Sequence, residues 1–489
     1  MAGKCFCWQL DILELENNMR VVLVTLLLSI LLVQPVWSEE AAQVGGPDFT
    51  GITVLDLQTA QRIALEENPG IAAARSRFEQ ARARVRQAAA AWWPGIDLNG
   101  QSRRTRRSDI AYESARKFTL PGQSTDRNIE SSTASLQATW VLFDGFFRSF
   151  LQDQMEFGKQ SFAAARRDVQ RRLVSAVAES FLNAQLTQTK VKIAAADKKF
   201  YEKQVVDAKN RFEAGAGAWG DVLNFRVQLN SALTRLMLEK RQFEAAKYGL
   251  AALLGVPDAT FPDELRLAEL DQNQVTTDPE EDVQELINEA LAARPDLSRL
   301  SLQVEEAKAA TGKAKASFWP KVQVAGALNG ANQDGYRLDE DYFGNYIALN
   351  VAWNLFSGGA DRAKLFEARQ KKREVVYTLA DLRNTVVSEV RQYIALLAAA
   401  REQVRLQRDS VSLVEENRKL AQNEYEAGAS SLVRLNEAQR DLTTTYSRLA
   451  QALVSYQLAR QRLLAATGKN LVSFADVISS REQPVTDEE

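Results

Sequence analysis

The 489-residue chain contains no histidine. That removes the side chain most often used as a general base near neutral pH and as a zinc ligand. Every Ser-His-Asp or Cys-His arrangement goes with it. Cysteine is almost missing too: Cys5 and Cys7, at the extreme N-terminus, are the only two. Neither sign of charge is in excess, and a net charge of −2 gives no broad positive field for nucleic acid. Sustained apolar runs are equally scarce. Val21–Val33 is the exception, and its 13 residues fall short of the roughly 20 that a helix needs to span a bilayer.

That run has a recognisable setting. It follows Met19 and Arg20 and precedes Val36 and Ser38, small residues at the −3 and −1 positions of a cut before Glu39. This is the pattern of a secretory signal peptide, with an N-terminal membrane anchor as the competing reading. Residues 1–38 are therefore expected to be an N-terminal extension and a cleaved signal peptide, with synthesis starting at Met19, and residues 39–54 to open the mature chain. Cleavage would remove both cysteines and with them any disulfide. No cysteine stands at the cut for lipid attachment.

The rest of the chain is written twice. PGIAAARSRFEQARARVRQAAAAWWPG at residues 69–95 is echoed by PDLSRLSLQVEEAKAATGKAKASFWPK at 295–321, an offset of 226. Leu142-Phe143-Asp144-Gly145 is echoed by Leu355-Phe356-Ser357-Gly358, Glu213-Ala214-Gly215 by Glu426-Ala427-Gly428, and Leu254-Gly255 by Thr467-Gly468, all at an offset of 213. The first copy thus carries 13 extra residues between Pro94 and Leu142. Shared order over this range marks internal duplication. The first repeat is placed at 55–255, with a strand pair at about 94–142 and a tip turn at about 214–220. A linker follows at 256–280. The second repeat takes 281–468, with a strand pair at about 320–356 and a tip turn at about 427–431. Residues 469–489 form a C-terminal segment ending in an acidic tail.

Each copy predicts the same elements. A helix, 55–91 or 281–318, ends at Trp-Pro, because proline cannot continue it. A strand pair follows, then a helix running from Gly145 or Gly359 to the tip glycine, and last a shorter helix, 220–253 or 431–466. At 1.5 Å per residue the long helix spans roughly 100 Å, more than a compact globule uses. Val222, Leu229, Leu236, Phe243 and Leu250 recur every seven residues, as do Leu435, Leu442, Leu449, Tyr456 and Leu463. Strict heptads make a coiled-coil seam, so these residues are assigned a structural role.

In IALNVAWNL, residues 347–355, Ile347, Leu349, Val351, Trp353 and Leu355 alternate with Ala348, Asn350, Ala352 and Asn354. Leu136, Ala138, Trp140 and Leu142 alternate less cleanly with Ser135, Gln137, Thr139 and Val141. About ten residues, apolar on one face and small or polar on the other, mark a membrane-barrel strand, although a half-buried soluble sheet has the same period. Trp92, Trp93 and Trp319 stand where helix meets strand, as interfacial aromatics do. Four strands cannot close a barrel, and open edges are not tolerated in lipid. Copies must share one: two chains give eight strands, three give twelve, and only the larger number leaves a pore.

With its order of helix, Trp-Pro, strand pair, LF-x-G, long helix, (F/Y)-E-A-G and short helix, repeated twice, the chain resembles the TolC-type outer-membrane efflux proteins. The resemblance covers nearly all of the mature chain. It implies a mainly α fold with a small transmembrane β part. As a homotrimer it would form a 12-stranded barrel in the outer membrane of a Gram-negative bacterium, continued by an α-helical barrel in the periplasm. The implied function is passive exit for substrates of a tripartite efflux or type I secretion system. Its partners would be a periplasmic adaptor (membrane fusion) protein, an inner-membrane transporter and outer-membrane lipid, with no nucleic acid. The tip turns Gly215-Ala216 and Gly428-Ala429 would dock the adaptor. Asp221, Tyr425, Arg434 and Glu437 match the positions of the family's pore gate. Arg434 reverses the sign usual at its place, which permits an Asp221–Arg434 pair.

Other motifs are weighed and set aside. Gly215, Gly217 and Gly220 could cradle a phosphate, but the second copy keeps only Gly428; one glycine per copy is what a helix end needs to reverse. Thr311-Gly312-Lys313 and Thr467-Gly468-Lys469 lack the upstream glycine of a phosphate loop. The run RRTRR, Arg103–Arg107, is placed in the first strand-pair loop, solvated or against lipid phosphate. No catalytic residue, cofactor or metal site is expected, and the chain is not read as an enzyme. The alternative in another class is a non-conducting periplasmic coiled-coil scaffold.

Overall fold

The computed structural model describes residues 46–120, 125–271, 282–333 and 335–480. The signal-peptide reading, Cys5 and Cys7, the linker from 272 to 281 and the tail from 481 lie outside the described residues. Helices dominate. The first copy runs β1 Val54–Leu55, α1 Leu57–Glu67, α2 Pro69–Ala90, β2 Gly95–Arg106, α3 Asp109–Lys117, β3 Asn128–Phe143, α4 Phe147–Glu213 and α5 Trp219–Leu253. After β4 Arg266–Leu267, the second copy runs α6 Val283–Ala293, α7 Pro295–Lys315, β5 Lys321–Asn332, β6 Phe343–Ala352, α8 Ala360–Glu426 and α9 Leu432–Ala466, closed by α10 Ala475–Ser480.

Three expectations are corrected. The single helices predicted over 55–91 and 281–318 are each broken in two. Asn68 and Arg294 take extended backbone, with ψ of 123° and 124°, because the ring of the following proline disfavours helical geometry there. Asn68 uses the break, capping α2 by accepting the Gly70 N–H at 2.8 Å. The 13 extra residues of the first copy accompany a helix, α3, capped by Ser108 Oγ on the Ala111 N–H. The arginine run lies largely on a strand rather than in a loop: Arg103, Arg104 and Arg106 belong to β2.

The four barrel-type strands form one antiparallel sheet in the order β2-β3-β5-β6. Its rows follow the register. Ile96, Ala138, Gly326 and Ile347 form one, Leu98, Leu136, Leu328 and Asn345 the next, and Gly100, Ala134, Gly330 and Phe343 a third. This face also carries Trp140, Val324, Leu349 and Val351, so it is apolar; Ile347 is 86% exposed and Leu98 70%. The opposite face presents Asp97, Asn99, Gln101, Thr133, Ser135, Gln137, Gln323, Asn329 and Asn350. The period of two thus separates an apolar face from a polar one. Register shifts between Val141 and Phe143, which places Phe143 opposite Val322.

The two long helices, α4 and α8, have 67 residues each, roughly 100 Å. Gly158 is the only glycine in α4, neither helix contains proline, and α8 has no glycine. Helix α4 is the spine: α2 and α7 pack along one half of it, α5 and α9 along the other, while α8 lies against α7 and α9. The wall therefore reads α2-α4-α7-α8 toward the sheet and α5-α4-α9-α8 toward the turns. The heptads show the difference in position. On the internal helix α9, Leu435, Leu449, Tyr456 and Leu463 are buried, whereas on the rim helix α5 only Val222 and Leu250 are.

Midway, the copies are clamped together. β1 pairs in parallel with β4 over a core of Leu55, Ile63, Val177, Phe181, Leu250 and Leu254. A second core holds Ile287, Leu297, Val386 and Val390; Val390 is the counterpart of Val177, 213 residues on. Between them lies a buried charge cluster. Arg294 meets Asp296 at 2.7 Å and Glu389 at 2.6 Å. Arg171 meets Asp168 at 2.7 Å and Asp296 at 3.5 Å. The two arginines donate to the carbonyls of Ala465 and Ala466, the last turn of α9, at 3.0 and 3.3 Å, where the helix dipole favours cations. Losing one partner of such a buried pair costs about 3–5 kcal/mol.

Burial alone would raise the Asp296 carboxyl, but the Arg294 hydrogen bond and charge outweigh it and hold its pKa below the ordinary value. A depressed carboxylate contributes stability that is complete above its unfolded pKa, near 3.9, and is lost as pH falls through the folded value. The thermal midpoint followed by circular dichroism should therefore drop as pH is lowered below about 4. Asp296→Asn should have a lower midpoint at pH 7 and a flatter acid limb; an acid limb as steep as the wild type's would contradict the assignment.

Candidate functional site

The features most unlike an ordinary globular core are the two helical tips and the belt where helices enter the sheet. At the tips, α4 and α8 end alike. Gly215 has φ of +75° and Gly428 +72°, a left-handed conformation that suits glycine. Ala216 N–H donates to Arg211 O and Ala429 N–H to Glu424 O, both at 2.8 Å, while the glycine N–H groups reach Phe212 O and Tyr425 O at 3.0 and 3.1 Å. This double bond pattern is the Schellman end of a helix, so the backbone amides at the turn are spent on the chain's own carbonyls rather than on a phosphate. Gly217 does not have positive φ.

Behind the turns the two hairpins share a core of Tyr201, Ala208, Val222, Phe225, Tyr425, Leu432 and Leu435. Tyr425, from α8, packs against both α4 and α5 there. Its ring meets Phe225 edge-on at 6.0 Å and carries the Arg211 guanidinium 5.0 Å above it. Burial pushes its hydroxyl pKa up, Asp221 adds to this and Arg211 opposes it. Asn436 Nδ2 donates to Asn224 Oδ1 at 3.1 Å, joining α9 to α5. The Asp221–Arg434 pair permitted by the sequence is not formed within the chain: Arg434 Nε stands 3.6 Å from Glu424 instead. Glu437 is exposed, one turn from Arg434.

Above the tips a polar chain crosses all four helices of the wall. Arg418 Nε donates to Gln439 Oε1 at 3.2 Å, Gln439 Nε2 to Asp197 Oδ1 at 2.9 Å, and Arg235 lies 3.9 Å from Asp197. Burial pushes the Asp197 carboxyl up, and the hydroxyl of Tyr201, one turn below, to about 12. Beside this chain is a cavity of about 450 Å³ lined by Phe200, Leu270, Tyr446 and Leu453.

At the other end, the tryptophans anchor the helix-to-strand junctions by a duplicated contact. Trp140 Nε1 donates to Trp92 O at 3.0 Å and Trp353 Nε1 to Phe318 O at 3.2 Å. Trp92, Trp93 and Trp319 are 44%, 77% and 56% exposed. Arg148 locks the first junction: it pairs with Asp144 at 2.8 Å and lies 4.4 Å over the Trp92 ring. The two Gly-Lys motifs, one inside helix α7 and one just past the end of α9, have structural reasons. Gly312 is required because a Cβ there would fall 2.5 Å from the Phe150 ring, and Gly468 ends α9 at φ of +76°.

The structure thus brings Asp221 and Tyr425 into one cluster and leaves Arg434 and Glu437 on its exposed side. Sequence reading missed Asn224, Asn436, Asp197 and Gln439. Asn224, Asn436 and Gln439 lie on the heptad helices α5 and α9 and Asp197 on α4, each indistinguishable by pattern from a solvated polar residue, although Gln439 follows the seam residue Leu435 by four, a spacing that shares its face. Tyr425→Ala would open a void of aromatic size in the tip core, at a cost of roughly 3 kcal/mol. Amide exchange in segments 201–225 and 425–436 should accelerate, while Tyr425→Phe leaves it near wild type. Unchanged exchange in Tyr425→Ala would remove Tyr425 from this role.

Comparison with known proteins follows the same geometry. Residues 61–256 and 286–469 match the model of the family described as outer membrane efflux protein. Nodulation protein T of Rhizobium leguminosarum bv. trifolii is 25% identical over 405 residues, 80% of each chain. The probable efflux pump outer membrane protein TtgC of Pseudomonas putida KT2440 is 24% identical over 414 residues, 84% of this chain and 82% of that one. Among solved structures, that of CusC superposes with a TM-score of 0.72 at 18% identity, covering 87% of this chain and 97% of the other.

Proposed function

The chain belongs to the outer membrane efflux protein family, and we propose that three copies close a 12-stranded barrel and a helical tunnel whose far end opens and shuts at the glycine tips. As a member of this family it is an outer-membrane channel of a Gram-negative bacterium that extends into the periplasm. It gives passive exit to substrates exported by a tripartite efflux or type I secretion system. The family is one of efflux channels rather than enzymes, and works with a periplasmic adaptor and an inner-membrane pump. The relatives give the scaffold reading no support.

The observation that carries the three-copy reading is that every layer of the chain has two unfinished edges, and they fall on the same two sides. On one side are β2, α2 and α5; on the other are β6 and α8. Both helical rims expose large apolar residues, Trp219, Leu223, Val227 and Met237 on α5 and Leu396, Leu406, Leu413 and Leu420 on α8. Unlike edges that complement each other make a head-to-tail contact, which generates a ring. Three copies supply twelve strands, enough for a water-filled lumen lined by the polar face of the sheet.

The tips supply the gate and docking surface in this reading. Gly215, Ala216, Gly428 and Ala429 present the adaptor-docking turns, Tyr425 wedges the hairpins, and Asp221, Arg434 and Glu437 set the charge at the constriction. Trp92, Trp93 and Trp319 sit in the interfacial belt next to lipid. Exposed charge pairs contribute about 0–1 kcal/mol, weak enough for a gate that must open. Extracted in mild detergent, the protein should run at three chain masses and give discrete conductance steps in planar bilayers. A monomeric, non-conducting product would sink the channel-tunnel assembly. Asp221→Ala combined with Arg434→Ala should raise single-channel conductance; no change retires these two residues as gate elements.

A further inference from the structure

We infer that the outer rim of the first strand pair is a docking surface for the phosphorylated saccharolipid of the outer leaflet. Arg106, Arg107 and Lys117 are offered to its phosphates, and Ile110 and Phe118 to its acyl chains. The inference rests on the membrane-barrel reading proposed above.

Height in the membrane is the first argument. The helices lie on the periplasmic side, so the connection from β2 to β3 lies outside. The even-numbered positions of β2 share the apolar face of the sheet, and they read Ile96, Leu98, Gly100, Ser102, Arg104, Arg106. The face thus passes from apolar to basic along one strand. Ten residues separate Ile96 from Arg106. At about 3.4 Å per residue and a tilt of 35–45°, that is roughly 25 Å along the membrane normal. The apolar band of an outer-membrane barrel is about 25 Å tall, so Arg106 falls at its outer edge, level with the headgroups.

The helix that follows has the same dual character. One side of α3 is held by the chain: Asp109 pairs with Arg127, whose guanidinium also lies 5.7 Å from the centre of the Tyr112 ring. Ile110, Ser114, Lys117 and the C-cap Phe118 stand at i, i+4, i+7 and i+8, on another face. Among the described residues nothing covers that face, for Ile110 is 82% exposed and Phe118 89%. The cations are equally free. Arg104 has Glu130 at 3.4 Å, but Arg106, Arg107 and Lys117 meet no carboxylate among the described residues.

Apolar side chains flanked by cations are what a helix lying in a membrane interface presents. The guanidinium fork matches the oxygens of a phosphate in pairs. The outer leaflet of a Gram-negative outer membrane is built of lipopolysaccharide, whose lipid A anchor carries acyl chains and phosphates on a sugar core. It therefore offers both halves of the complement at this height. The second copy serves as a control. It joins β5 to β6 without an α-helix, through a stretch bearing Asp339, Glu340 and Asp341. Connecting two strands of this sheet does not require α3 or its basic run.

Lipid binding by the full-length trimer, purified in dodecyl maltoside and stripped of lipopolysaccharide, tests the surface. Diphosphoryl lipid A added to the micelles should bind and raise the temperature at which the trimer dissociates. Dephosphorylated lipid A should bind at least about tenfold more weakly. A basic side chain near an anionic surface contributes roughly fivefold in affinity. Arg106→Gln with Arg107→Gln should therefore weaken lipid A binding about 25-fold. Ile110→Ser with Phe118→Ser should weaken it at least about tenfold, and should do so for the dephosphorylated form as well. Without added lipid, both variants should dissociate at the wild-type temperature. Equal binding of the dephosphorylated form, or phosphatidylglycerol binding as tightly as lipid A, overturns the saccharolipid assignment. A fall in the lipid-free dissociation temperature of the arginine variant would assign these arginines to carboxylates of a neighbouring copy and overturn their phosphate role. The same fall in the serine variant would make the apolar face a protein contact and overturn its acyl-chain role. A wild-type protein that neither trimerises nor conducts removes the barrel reading itself, a failure seen before any lipid is added.

Discussion

A β-sheet cannot end in lipid. Every unpaired N–H and C=O on an edge strand there lacks a water to replace its missing partner. This chain nevertheless builds a sheet of four strands with an apolar outer face and two open edges. In the three-copy closure proposed above, association is therefore not added to a finished fold; it is the step by which the fold becomes permissible in a membrane. The helical part obeys the same demand more gently. Rim helix α5 leaves Trp219, Leu223 and Met237 exposed, and these apolar residues need a neighbour for the usual hydrophobic reason.

Much of this could be read from sequence because duplication supplies its own control. A feature present in both copies, such as the glycine that ends each long helix, is a requirement of the shared fold. One present once, such as Gly217, is local. The heptads, the alternation of Ile347, Leu349 and Val351, and the Trp-Pro junctions were legible because periodicity and proline act over a few residues. The breaks before Pro69 and Pro295 were also written in the sequence, but strong helical composition on both sides masked them. What was not legible depends on distance in space. Arg294 and Asp296 are two residues apart, yet their role is fixed by Glu389, Arg171 and the end of α9. Likewise nothing local marks Gln439 as the bridge between Arg418 and Asp197.

The two copies have also diverged where their positions differ. The junction that uses Asp144 with Arg148 in the first copy uses Ser357 with Asp361 in the second. The same heptad is mostly buried on α9 and half-exposed on α5, because one helix lies inside the wall and the other at its edge. Duplication provides a repeated scaffold, and asymmetry gives each chain unlike sides, without which copies could only pair face to face.

Helix α4 is continuous from the sheet to the tip, and at mid-height its Arg171, paired with Asp168, is tied to α7 and α9. From Arg171 to Glu213 it extends roughly 60 Å. With α5 and α9 packed along this length, the wall forms a lever whose root is the charge cluster. A rotation of about 5° at that root would move the tip by roughly 5 Å, most of the width of a side chain. In the gated tunnel proposed above, the length that first marks this chain as unlike a globule would therefore also be a gear ratio, turning slight adjustments at mid-height into large displacements at the mouth.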